Sequence, residues 1–315
     1  MLPNELLPRI GLKIGHYSDV KDQTGVTAFI VEKGAEIGID IRGSSTGTIN
    51  TPAYDPNSSG KIVHAVVLTG GSIFGLESVF GVLEYLEQQN IGNNKFGKAV
   101  PGITGAVIYD LGFGNDVRPN KRSGFIAAAE SSYQNLNQGS IGVGTGATIG
   151  KWFGGRKMKG GFGIAAKILA KDIIVAAFVV TNAMGNLIPP NNSGGDKLEP
   201  AYESLDLDHL KGFSGLLDLA GQNTTLALIA TNVKMNKIQL MKVAELAHDG
   251  MARSIYPVHT NSDGDVIFAL SSLNGERLEP ALPDSVLVDL IGLAAADALY
   301  EAIHNSVHYS GNQML

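Results

Sequence analysis

Seven short runs along the chain are apolar and rich in β-branched residues: 27–32, 37–42, 63–68, 106–110, 173–181, 225–231 and 266–271. Several are apolar throughout instead of alternating, the pattern of strands covered on both faces. Between them, residues 74–89, 123–132, 238–255 and 285–302 predict helices. The segment from Lys237 to Leu246 repeats its apolar positions three and four apart, which makes one face of that helix apolar. Residues 285–302 are apolar nearly all round and predict a buried helix. Strands alternating with helices place the chain in the α/β class. The polar stretch 188–221, which includes Pro189-Pro190-Asn191-Asn192-Ser193-Gly194-Gly195, reads as an exposed connection. Neither side of it closes a core alone, so one layered α/β domain over residues 1–315 is expected.

Composition narrows the function. Hydrophobic residues make up 44% of the 315 and charged residues 17%, which supports a large core and excludes a disordered chain. The longest apolar run, 173–180, is far short of the ~20 residues of a membrane span. A formal charge of −6 with no local basic block gives no attraction to nucleic acid or to an anionic membrane. The start, Met1-Leu2-Pro3-Asn4-Glu5, lacks the basic and apolar regions of a signal peptide, and a cytoplasmic location is expected. The absence of cysteine removes disulfides, thiolate nucleophiles and Cys-ligated metals. Glycine is the outlier, at 40 residues, and it clusters beside apolar runs: Gly70-Gly71, Gly112 and Gly114, Gly142 to Gly146, Gly160 to Gly163. Such clusters mark tight turns or loops that bring N–H groups towards a ligand.

Familiar motifs fail in turn. Gly144 to Trp152 resembles a phosphate loop, but five residues precede Gly150-Lys151 where four are needed, and Trp152 stands where Ser or Thr belongs. No dinucleotide fingerprint follows a strand, and there is no nucleophile elbow; Ser72 reads instead as a helix cap. His304 and His308 have helical spacing without the glutamate of a zinc helix, so no metal is expected.

The informative stretch is Gly221-Gln222-Asn223-Thr224-Thr225 running into the apolar strand 225–231. By itself it is a strand start with threonines at the junction. In company it resembles the self-cleavage site of the DmpA-type aminopeptidase family, which includes L-aminopeptidase/D-esterases, β-peptidyl aminopeptidases and the 6-aminohexanoate-oligomer (nylon-oligomer) hydrolase. The resemblance covers nearly the whole chain: Gly15-His16-Tyr17-Ser18-Asp19 with Thr24-Gly25-Val26-Thr27, then Val66 to Leu76 around Gly70-Gly71-Ser72, Val143 to Thr148, Lys159 to Gly163, Val180 to Gly185, and Asp263 to Ala269.

That resemblance implies an αββα sandwich shared with ornithine acetyltransferase, and cleavage between Asn223 and Thr224 into chains 1–223 and 224–315. The freed Thr224 would be the nucleophile of an amidohydrolase or aminopeptidase acting on small peptides or amides. Asp263 and Asp265 match the acidic pair that orients it, Asn182 the donor to the oxyanion, and Lys159 the family lysine near the nucleophile. Gly70, Gly71 and Ser72 match the signature loop and are expected to bind substrate. No cofactor is implied, and a homotetramer or larger assembly of processed pairs is. The aminopeptidases have a serine nucleophile and a Ser-Gly-Glu element; Thr224 and Asp263-Gly264-Asp265 stand closer to the nylon-oligomer hydrolase. Where the aminopeptidases place a tyrosine after the glycine-rich centre, this chain has Gly150-Lys151-Trp152. An acyltransferase of the ornithine acetyltransferase type, or an unprocessed binding protein, is the alternative.

Overall fold

The computed structural model describes residues 4–60, 62–112, 114, 116–152, 157–189 and 223–311. The connection expected at 188–221 lies almost wholly outside them. The main strands are β1 (Lys13–Asp19), β2 (Thr24–Ile41), β3 (Thr48–Ile49), β4 (Ile62–Thr69), β5 (Ile103–Val107), β6 (Gly161–Ile168), β7 (Ile174–Asn182), β8 (Thr224–Thr231) and β9 (Val266–Ser272). The main helices are α1 (Glu77–Gln88), α2 (Lys121–Ala129), α3 (Lys237–Ser254) and α4 (Asp284–His308).

The strands run in the order β6-β7-β8-β9-β2-β4-β5-β3, with β1 also against β2. One long strand joins two layers. The first half of β2 pairs with β1 and β4, while its second half, Ala35 to Ile41, pairs with β9. Its register with β4 shifts between Ile30 and Ala35. Gly34 turns there at φ 85°, and a Cβ would lie 2.2 Å from the Ile62 side chain. A bulge at such a glycine bends the strand.

Alternation along the strands then sorts the apolar side chains into three cores. Phe29, Leu68, Phe162, Phe178, Leu228 and Phe268 meet between the two halves of the sheet, with the Phe29 and Phe178 rings 5.5 Å apart. Ala177, Val179, Ile229 and Ala269 face the other way, against Val243 and Ala247 of α3 and Ile291 and Leu299 of α4. Val26, Ala28 and Val67 pack on Val79 and Val82 of α1 and Ala127 of α2. The layers are helix, sheet, sheet, helix: the expected αββα sandwich.

Local chemistry fixes the helix starts. Asn236 and Gln239 cap α3 reciprocally, and Asn120 with Ser123 does the same for α2. The two runs at 27–32 and 37–42 are one strand, because Glu32-Lys33-Gly34 is the bulge and not a break. Strand 106–110 begins earlier, at Ile103, and the helix expected at 74–89 opens with a 3₁₀ turn, Ser72–Leu76. Strands β1 and β6 were not expected. Among the described residues no helix is long and apolar enough to cross a membrane.

Candidate active site

Strands β7, β8 and β9 are apolar along their length and turn polar at one common end. There Asn182 and Thr224 sit opposite each other in the β7–β8 ladder, and Asn223 bridges to Asp263 ahead of β9. All four residues are buried, so each polar group needs a partner.

The Thr224 hydroxyl donates to the carbonyl oxygen of Asn223, the residue before it. The same oxygen accepts the Gly264 N–H at 2.8 Å. Gly264 has no room for a side chain: a Cβ would lie 2.7 Å from Thr224 Oγ1 and 2.8 Å from the Ser45 carbonyl.

The two aspartates grip the surrounding backbone. Asp265 accepts the Thr225 N–H at 2.7 Å on one oxygen; on the other it accepts the His259 N–H at 3.2 Å and Nδ1 at 2.7 Å. Asp263 accepts the Met184 N–H at 3.2 Å, the Thr260 N–H at 3.0 Å and the Thr260 hydroxyl at 2.6 Å. Burial, then the negative charge of Asp265, raises the Asp263 carboxyl above its ordinary range, and these hydrogen bonds oppose the rise.

Asn182 is held from several sides. Its Oδ1 accepts the Thr148 N–H at 3.0 Å and the Lys151 ammonium at 3.0 Å, and its Nδ2 donates to the Tyr109 carbonyl at 3.1 Å. Lys151 also donates to the Asn182 carbonyl at 3.2 Å. Burial pushes the Lys151 ammonium down to about 7 against the pull of Asp263.

Lys159 lies differently. Its ammonium donates to the Thr145 carbonyl and, at 2.8 Å, to Gln23 Oε1. Burial lowers it to about 8, opposed by the charge of Asp110. Asp110 takes the Gly71 N–H and the Thr24 hydroxyl, each at 2.7 Å, while the lysine holds the turn that carries Thr145. Asn182, Thr224, Asp263 and Asp265 lie together at this end of the sheet, and Lys151 reaches Asn182.

The signature loop reaches the site from β4. Gly71 at φ 80° and Ser72 at φ 54° are successive left-handed residues. Ser72 lines a cavity of ≈ 210 Å³ together with Thr224, Ser45, Thr46, Ile73 and Tyr109. Gly70 stays behind it, packed against Thr24 and Asp110 with no space for a Cβ. A larger groove of ≈ 880 Å³ along β6, lined by Gln138, Ile164, Asn305 and Tyr309, holds none of these groups.

Sequence reading missed Lys151, Gly264, Thr148, Tyr109 and His259 as members of this cluster. Lys151 surfaced inside a failed phosphate-loop pattern and in the stretch that departs from the aminopeptidases, with no role attached; its partner Asn182 is 31 positions away. Gly264 was visible between two aspartates, but its closeness to a hydroxyl 40 residues earlier follows only from strand pairing.

The chain is similar to known proteins over most of its length. An uncharacterized aminopeptidase of Mycobacterium tuberculosis is 33% identical over 318 residues, spanning 93% of this chain and 90% of the relative. The 6-aminohexanoate-oligomer endohydrolase of a Kocuria species is 30% identical over 311 residues, spanning 94% and 83%. Among solved structures, a Burkholderia β-aminopeptidase superposes with a TM-score of 0.70 at 18% identity, over 98% of this chain and 88% of that one. The L-aminopeptidase D-Ala-esterase/amidase of Ochrobactrum anthropi, described as a variant of the Ntn hydrolase fold, gives 0.67 at 18% identity, over 95% and 84%. The sequence pattern of peptidase family S58 matches residues 9–313, and the chain belongs to that family.

Proposed function

We propose that the chain cuts itself between Asn223 and Thr224 and then hydrolyses small peptides or amides through an acyl-enzyme on Thr224. The observation that carries this reading is the Asn223 carbonyl oxygen, held between the Thr224 hydroxyl and the Gly264 N–H. A donor on that oxygen favours the negative charge that develops when the hydroxyl adds to the carbonyl.

In the first stage the Thr224 Oγ1–C bond forms and the Asn223–Thr224 C–N bond breaks, leaving an ester and a free α-amine. Water hydrolyses the ester, which releases the Asn223 carboxylate and restores the hydroxyl. An α-amine titrates near ~7.7–8.0, so a neutral fraction is present at pH 7 to take the hydroxyl proton. In the second stage the hydroxyl attacks the substrate carbonyl, the amine product leaves with a proton, and water frees the acyl group. Asn182 is the proposed donor to the oxyanion. Asp265 holds the amide that follows the nucleophile, and Asp263 holds the amides of Met184 and Thr260. Of the two lysines, Lys151 reaches Asn182, and the role that resemblance gave to Lys159 is assigned to it; Lys159 holds the Thr145 carbonyl and Gln23. The 210 Å³ cavity beside Thr224, with Ser72 on its wall, is the proposed substrate site.

The processed chains 1–223 and 224–315 stay together, since β8 lies between β7 and β9 in the sheet. They are expected to assemble as a homotetramer or larger complex in the cytoplasm. Denatured intact mass tests the reading. Scaling the 33.1 kDa chain at ~105 Da per residue, cleavage gives species of about 23 and about 10 kDa. A chain that stays whole removes the free amine from the mechanism.

A further inference from the structure

We infer that His259 is a positioning residue for the nucleophile, acting through Asp265. The inference rests on the self-cleaving reading of Thr224. The parallel ladder between β8 and β9 begins only at Leu226 with Val266; before it there is a single isolated bridge, Asn223 to Asp263. In the gap on the β9 side lie Thr224 and Thr225, which β7 pairs on the other side. The Asp265 carboxylate fills that gap by accepting the Thr225 N–H at 2.7 Å. It is the contact that ties the peptide following Thr224 to the β9 side.

What places Asp265 is His259. The backbone N–H and Nδ1 of this one residue both donate to the second carboxylate oxygen, at 3.2 and 2.7 Å. Because a carboxylate only accepts, Nδ1 carries the proton and the tautomer is set. His259 makes both contacts at φ 55°, a left-handed conformation that residues with a Cβ rarely adopt. The ring is itself backed by His248 of α3, with centroids 4.8 Å apart and edge to face. His248 sits 3.4 Å from Asp40, which also pairs with Arg42 at 2.9 Å. Burial first, then His259 and Arg42, push His248 down to about 3, so it stands as a neutral wall. Asp265 thus connects a ring locked from behind to the amide beside the nucleophile.

Two substitutions separate the hydrogen bond from the backbone conformation. Asparagine tolerates left-handed φ and puts an amide N–H near the position of Nδ1. Glycine tolerates the same φ and has no donor. Full-length wild type, His259→Asn and His259→Gly would be followed by denatured intact mass over time. The processed proteins would be assayed on the p-nitroanilide of a small neutral amino acid. A small misplacement of reacting groups costs up to about 100-fold. The expected result is therefore self-cleavage at least about tenfold slower in the glycine variant, and within about threefold of wild type in the asparagine variant. The same ranking is expected in kcat, with KM changed less than about twofold. If His259→Gly fails to fold by circular dichroism, His259→Gln replaces it with the same expectation, since its amide reaches the Nε2 position. Glycine cleaving as fast as asparagine overturns the inference, and so does asparagine as slow as glycine. A wild type that never cleaves defeats the underlying reading as well, and is told apart by that fact alone.

Discussion

Lys151 offers a sharp test, because its chemistry is written into stability as well as activity. Burial brings its ammonium down to about 7 from an ordinary 10.5, with Asp263 pulling the other way. Between those values the unfolded chain holds a proton that the folded chain has released. Stability therefore rises with pH through that window, and the gain is lost as pH falls through about 7. From pH 6.5 to 8.5 the full slope would be ~1.36 kcal/mol per pH unit, reduced near pH 7 where the folded lysine is still partly protonated; the net gain is about 2 kcal/mol. Lys151→Met removes this slope while keeping a side chain of similar length. Both proteins would carry Thr224→Ala so that one intact chain is followed. Lys159, brought to about 8 by burial, titrates in the same window but is common to both, so it cancels in the difference. Urea unfolding at the two pH values reads the result: the stability difference between the proteins should move by about 2 kcal/mol in favour of the lysine chain at pH 8.5. A difference constant to within about 0.5 kcal/mol would show an ammonium charged throughout, and the account of a desolvated lysine against Asn182 would be wrong.

Thr224→Ala should leave a single mass of 33.1 kDa, whereas Thr224→Ser, which keeps a hydroxyl, should still give two fragments; a cleaved alanine variant would move the nucleophile elsewhere. Gly264→Ala forces a Cβ to 2.7 Å from the Thr224 hydroxyl. It should destabilise the chain by about 1–3 kcal/mol in urea unfolding and slow self-cleavage at least about tenfold by intact mass. Cleavage at the wild-type rate would mean that the hydroxyl is not held where the structure puts it. Phe178→Ala empties part of the core between the two sheet layers, where the ring meets Phe29 at 5.5 Å. A loss of about 3–5 kcal/mol is expected by the same unfolding assay, and less than about 1 kcal/mol would contradict a close-packed interlayer.

The elements legible in the sequence were those whose environment is uniform. Strands β7, β8 and β9 are covered on both faces, so their residues are apolar without alternation and stand out. Helix α4 stands out for its apolar composition, although Val286 and Leu293 on it are exposed rather than buried as expected. Strand β6 escaped because it opens Gly161-Phe162-Gly163, and glycines read as loop. In the fold they let α4 lie directly on the strand: a Cβ at Gly163 would be 2.0 Å from the Ala302 carbonyl. The bend in β2 escaped because a polar triplet inside an apolar run looks like a terminus. Periodicity therefore reached α/β, and the layering came from resemblance. Among the candidate site residues, Asn182, Thr224, Asp263 and Asp265 were named through the family resemblance, whose matches follow in order along the chain. The choice between Lys151 and Lys159 was not, since nothing local decides which ammonium turns towards Asn182 and which towards Gln23.

The structure also explains how two carboxylates can stand side by side, buried, beside the proposed nucleophile. Each takes three donors: Met184 N–H with the Thr260 N–H and hydroxyl for Asp263, Thr225 N–H with the His259 N–H and ring for Asp265. Four of these six donors are backbone amides, which cannot be removed by substitution and cannot find water once buried. Replacing either aspartate therefore strands amides as well as deleting a charge, at about 1–3 kcal/mol for each unsatisfied group. Lost cleavage in Asp263→Ala or Asp265→Ala would mix a weakened fold with weakened chemistry. Lys151 and His259 lie one contact further out. Lys151 donates to the Asn182 carbonyl and to Asn182 Oδ1, which keeps the Thr148 N–H; the His259 ring donates to Asp265, which keeps the Thr225 N–H. Substitutions there strip no backbone amide of its acceptor through the lost side chain. They are the positions at which an effect on self-cleavage can be assigned to chemistry.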